Sequence, residues 1–196
     1  MKANILVGVC AAAFAAYLGT AIITANQDDG NGLAGNGQRI QAGFALVHSQ
    51  GITLNMKGRD RAEVGLGAYL VNSAGGCNDC HTAPPYTLDP AAFLGAPKQI
   101  NLACYLAGGQ SFGPFVSRDI TPWENGMPAG LTFAQFRHVI RTGEDPDHPG
   151  QVLQVMPWPV YQGLTDGDLH AIYEFLSSIP PIPANTCGVP SEPAHR

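Results

Sequence analysis

Charge is scarce in this sequence. Asp, Glu, Lys and Arg make up 13% of its 196 residues, about half the usual share of roughly 25%. A disordered polyelectrolyte needs far more charge than that. A basic surplus is missing too: 10 Lys and Arg stand against 15 Asp and Glu, a net charge of −5. Nucleic-acid binders have the opposite balance, so no nucleic-acid partner is expected. No internal repeat is visible, and no strand-like alternation persists beyond a few residues. In their place stand 24 glycines and 16 prolines, about a fifth of the chain where roughly 12% is usual. Such a composition excludes a long coiled coil. It predicts one compact, loop-rich domain that needs something besides regular secondary structure to hold it together.

After Met1 and Lys2, residues 5–25 carry no charged side chain. Twenty-one such residues exceed the apolar region of a signal peptide, roughly 7–15 residues, and match the ~20 of a spanning helix. The Ala-rich composition and a cleavage site after Ala25 fit a signal peptide equally. Both readings export the remainder of the chain, leaving Lys2 on the cytoplasmic side. Cys10 as a lipidation site is the weaker alternative, because Val9 precedes it in place of a small residue. Residues 26–38 are polar and Gly-rich and read as a flexible linker, reaching roughly 20 Å by random-coil scaling. The folded domain is expected over residues 39–190, with a C-terminal tail at 191–196.

Three segments carry helical signals. The first spans about Asp60 to Ser73, with Val64, Ala68 and Val71 on one face. Gly65 and Gly67 within it predict a close packing partner, since glycine is a poor helix former. The second starts at Thr132 with Gln135 three residues on, a capping-box spacing, and stops at Gly143. The third starts at Thr165 with Asp168 three residues on and ends before Pro180. Between the first two, residues 82–130 are dense in Pro and Gly. A loop so long is acceptable in a compact domain only if it wraps something.

Residues 77–81 read CNDCH. Two thiols three residues apart each add to one vinyl group of a haem, and the adjacent His81 places an imidazole on its iron. With 5 Cys and 6 His in the chain, chance yields this pattern in roughly 0.3% of shuffles. A structural zinc site needs a second ligand pair, and Cys104 and Cys187 stand apart. A thioredoxin-like pair needs a strand–helix context that is missing here. One covalent haem c is therefore the expected cofactor.

For the sixth iron position the chain offers Met156, in an MPWP stretch 75 residues after His81. A thioether is a soft ligand that raises the potential, and Pro157 and Pro159 stiffen its loop. Ordinary core filling is the alternative role for Met156. Met127, His138, His148 and His170 are competing ligands.

The helix ending before CNDCH, the MPWP loop and the terminal TDGDLHAIYEFLSSIPP resemble class I c-type cytochromes, in particular the monohaem proteins associated with bacterial dehydrogenases. The resemblance covers about residues 60–183. It implies an all-α, cytochrome c-like fold: a few short helices and long loops around one covalent haem, here preceded by an N-terminal apolar helix. Cys77 and Cys80 would form the thioethers, His81 the proximal ligand and Met156 the distal one. First and last helices would cross, with Gly65 or Gly67 against Tyr173. The long insertion after His81 departs from the family pattern and leaves the propionate contacts open. Arg118 is the first choice there, beside Trp123, Tyr105 and Lys98, and an ordinary surface arginine is the alternative. The Pro84-Pro85 turn is expected to accept the other N–H of His81. In an oxidising compartment Cys104 and Cys187 either join or remain two free thiols.

The function expected is one-electron transfer with protein donors and acceptors, outside the cytoplasmic membrane on the periplasmic side. A fixed subunit of a dehydrogenase, oxidase or photosynthetic complex is a second reading, with membrane association through residues 5–25. A haem enzyme or gas sensor with a labile sixth ligand is a third.

Overall fold

The computed structural model describes residues 36–87, 94–95, 97–183 and 186–187. The apolar segment 1–25, most of the expected linker and the tail 191–196 lie outside the described residues. Helix α1 spans Gly37–Gln50 and α2 spans Arg61–Tyr69, prolonged by a π turn over Leu70–Ala74. The single turn α3, Cys77–His81, comes next. After the long loop come α4 (Phe133–Thr142), the short α5 (Trp158–Tyr161) and α6 (Asp166–Ser178). A 3₁₀ turn at Leu102–Cys104 and a hairpin pairing β1 (Ser111–Phe112) with β2 (Phe115–Val116) interrupt the loop. Helix α1 carries no side-chain N-cap, and no sequence signal announced it. It begins inside the stretch expected to be linker.

Local chemistry sets the other helix starts. Asp60 accepts from the backbone N–H of Ala62 and Glu63. Thr132 with Gln135, and Thr165 with Asp168, form reciprocal capping boxes. Each satisfies two donors that a helix start otherwise leaves unpaired. Gly143 then closes α4 at φ 71°, a left-handed conformation that favours glycine.

Helix α2 is the centre of the core. Val64, Leu66 and Ala68 are buried on it, and Val71 on the π turn that prolongs it, in one core with Leu169, Phe175 and Leu176 of α6. Two glycines allow the backbones to meet. A methyl group on Gly67 would collide with the carbonyl of Ala171 on α6, and one on Gly43 of α1 with the carbonyl of Gly65. The partner of Gly67 is thus Ala171, with Phe175 beside it, and Gly65 faces Ile40 and Phe44 of α1. Tyr173, expected at this crossing, points elsewhere. Its ring packs edgewise on Phe133 at 5.5 Å, and its hydroxyl donates to Leu131 O at 2.9 Å. Two residues along a helix rotate a side chain about 200°, which moves it off the crossing face.

The long loop finds partners for its backbone without regular structure. Gly108 N–H donates to His81 O at 2.7 Å and Ile120 N–H to Leu106 O at 3.0 Å. Buried Thr82 accepts from Leu106 N–H at 2.9 Å through its hydroxyl. Buried Asp119 accepts from both the N–H and the hydroxyl of Thr121. A disulfide joins Cys104 in this loop to Cys187 beyond α6, Cα atoms 5.5 Å apart.

Candidate haem site

One helical turn carries the CNDCH sequence. Positions i, i+3 and i+4 share a face of a helix, so α3 presents Cys77, Cys80 and His81 to the same side. The two intervening residues hold the turn from behind. Asn78, buried, donates to Pro85 O at 3.2 Å and accepts from the hydroxyl of Thr82 at 2.9 Å. Asp79 accepts from the Tyr86 hydroxyl.

The entry into α3 is equally constrained. In the π turn, buried Asn72 donates to Ala68 O at 2.9 Å, and its side-chain carbonyl accepts from Tyr105 Oη at 2.6 Å. Lys98 Nζ donates to Asn72 O at 3.2 Å. Gly76 sits at φ 59°, the left-handed conformation that starts the new turn. A side chain on Gly75 would press on Leu70 O at 2.9 Å and on Cys77 Sγ at 3.3 Å. π turns of this kind recur at functional sites.

His81 Nδ1 lies 2.7 Å from the carbonyl oxygen of Arg118. A carbonyl only accepts, so the proton sits on Nδ1 and Nε2 keeps its lone pair. Burial pushes the imidazole below its ordinary pKa, opposed by the Arg118 carbonyl and aided by the Arg118 charge. The ring is therefore neutral at pH 7 and offers Nε2 to a metal. The Pro84-Pro85 turn, expected to supply the acceptor, is engaged otherwise. Pro84 O accepts from Asn101 Nδ2 at 3.1 Å, and Pro85 O from Asn101 N–H at 3.2 Å. The loop's return past Gly108 brings residue 118, not residue 84 or 85, onto the imidazole.

As free thiols, Cys77 is pushed up to about 12 by burial, and Cys80 is raised by the same cause. Among the described residues no three His, Cys, Asp or Glu side chains gather as a metal cluster.

Met156 is half-buried against the hydrophobic core. Its loop is tied on both sides. Trp158 packs its ring on Gly143, where any Cβ would intrude, and donates from Nε1 to Leu153 O at 3.3 Å. Tyr161 donates from its hydroxyl to Gly75 O at 2.6 Å, two residues before Cys77. Burial pushes that phenol up to about 12, so it stays a donor.

The competing ligands are placed differently. His138 pairs with Glu144 at 2.7 Å, His148 with Asp145 at 3.2 Å and His170 with Glu63 at 3.0 Å. Met127 sits in a turn closed by Trp123 and Gly130, whose N–H groups donate to its carbonyl. The Arg118 guanidinium donates to Asp147 and to Ala129 O and lies 4.7 Å over the Trp123 ring. Tyr105 and Lys98, the other propionate candidates, both engage Asn72. Sequence reasoning missed Tyr161, Asn72 and the Arg118 carbonyl. Only Tyr161, five residues beyond Met156, had a positional signal.

The residues present fit a covalently attached haem. Two thiols and an imidazole share one face, and the imidazole's free lone pair is fixed by the hydrogen bond on its other nitrogen.

The chain is similar to proteins described as the cytochrome c subunit of alcohol dehydrogenase (quinone), from Gluconacetobacter polyoxogenes and from Komagataeibacter europaeus. Each is 30% identical over 129 residues, 62% of this chain and 25% of the relative. The chain thus spans about a quarter of the length of the curated relatives it matches. No protein-family model matches it, and no solved structure does.

Proposed function

We propose that this chain is a one-electron carrier built around one covalent haem c in a cytochrome c-like, all-α domain. When bound, the haem supplies one reversible electron at its iron. Cys77 and Cys80 would hold the macrocycle by thioether bonds, each S–H adding across one vinyl group. His81 would ligate through Nε2, with the Arg118 carbonyl fixing its tautomer and raising its basicity. Met156 would supply the second iron ligand, in a loop that Pro157 and Pro159 restrict. Two protein ligands on the iron would leave it suited to electron transfer and not to binding a substrate. The observation that carries the reading is the hydrogen bond from His81 Nδ1 to Arg118 O, which leaves Nε2 free beside two cysteines on one face.

The test is the spectrum and redox titration of the purified holoprotein. A reversible one-electron wave is expected, with a far-red sulfur-to-iron band in the oxidised form and slow cyanide binding. Immediate cyanide or CO binding would favour the enzyme or sensor reading instead.

The relatives' names favour a second, narrower reading, in which the chain serves a dehydrogenase as its cytochrome subunit. Export to the periplasmic side and tethering by residues 5–25 would raise its effective concentration near that partner. Co-purification of a dehydrogenase after detergent extraction tests this, and recovery of a lone soluble monomer counts against it.

A further inference from the structure

Met156 and Tyr161 pack half-buried against the core, but most of the remaining segment around Met156 is exposed. Val155 is 40% exposed and Val160 73% exposed, and the single turn α5 buries no residue. Its position therefore depends on a few directed contacts. Trp158 anchors one side to the end of α4 through Gly143 and Leu153. The other side is anchored by the Tyr161 hydroxyl on Gly75 O at 2.6 Å, 86 residues away in sequence. Gly75 belongs to the turn that leads into Cys77, so this contact ties the distal loop to the attachment segment.

We propose that Tyr161 is a positioning residue for the Met156 loop, clamping it to the attachment segment and setting how readily Met156 leaves the iron. The proposal rests on ligation by His81 and Met156. The Tyr161 hydroxyl bonds to Gly75 O and to neither proposed ligand, so its effect is expected in loop opening more than in global stability. Losing one net hydrogen bond changes such an equilibrium about fivefold.

The test compares the wild-type holoprotein with Tyr161→Phe and Val160→Ala at neutral pH. One readout is the rate at which oxidised protein binds cyanide. The second is amide exchange at Trp158, Val160 and Gln162, whose N–H groups bond within the loop. Tyr161→Phe is expected to speed both about fivefold, with Val160→Ala leaving both near wild type. Unchanged exchange and cyanide binding in Tyr161→Phe would overturn the clamp, as would an equal rise in Val160→Ala. A wild-type protein that lacks the far-red band and binds cyanide at once sinks Met156 ligation. The exchange readout still decides the clamp in that case: a selective rise in Tyr161→Phe upholds it, and no rise overturns it.

Discussion

The imidazole of His81 is oriented by the main chain of Arg118, 37 residues away, through a 2.7 Å hydrogen bond to its carbonyl. The same residue spends its guanidinium elsewhere, on Asp147, Ala129 O and the face of Trp123. Backbone and side chain of Arg118 thus have separable tasks.

That separation makes a prediction. Arg118→Met removes the guanidinium and keeps the carbonyl. The pair with Asp147 is partly exposed, so screening limits its share, and the bond to Ala129 O adds about 1 kcal/mol. A loss of about 1–2 kcal/mol in denaturant unfolding is expected, with the visible spectrum unchanged. A spectrum showing loss of the proximal ligand would mean that the side chain, not the carbonyl, holds His81.

The helix crossing predicts a reversed sign. Gly→Ala in a helix interior normally stabilises by up to about 1 kcal/mol. At Gly67 the new methyl meets the backbone of Ala171, which cannot rotate away. Overpacking costs typically 1–3 kcal/mol, so Gly67→Ala should lower stability by about 1–2 kcal/mol net. Chemical denaturation measures it, and a stabilised variant would refute the crossing.

Met156→Ala tests the distal ligand. The far-red band should vanish and cyanide should bind without delay. The potential should fall by on the order of 0.1 V, well inside the ~0.8 V range that axial ligands command. A titration indistinguishable from wild type would transfer the role to another residue.

At the surface, Asp166 bridges Arg137 and Arg141. The hydrogen bond from Arg141 is the main cause that holds its carboxyl below the ordinary value, with Arg137 adding to it. A depressed folded pKa contributes stability above the unfolded value of about 3.9, lost as pH falls through the folded one. Asp166→Asn should therefore flatten part of the acid limb of the stability curve below about pH 4 and leave the limb above pH 6 unchanged. Denaturant midpoints measured across that range check it.

The parts legible in the sequence are short-range. Thr132 with Gln135 and Thr165 with Asp168 announce helix starts because capping is completed within one turn. Helix α1 was not legible: Asn36 makes no side-chain cap, and glycines at 37 and 43 weaken the periodic signal. Gly65 and Gly67 signalled close approach, yet they meet different helices, and Ala171 took the place expected of Tyr173. How deep two helices cross depends on all the side chains between them, which no local pattern specifies.

By itself the sequence determined that Cys77, Cys80 and His81 share a face, because three- and four-residue spacings do so on any helical turn. It also determined that a chain this rich in Gly and Pro must seek its order outside regular secondary structure. Only the tertiary structure decided that Arg118 supplies the carbonyl behind His81, that Ala171 receives Gly67, and that Tyr161 ties the Met156 loop to Gly75. Those contacts join residues 37 to 104 positions apart. They depend on the path by which the chain returns, and the packing of the whole core sets that path.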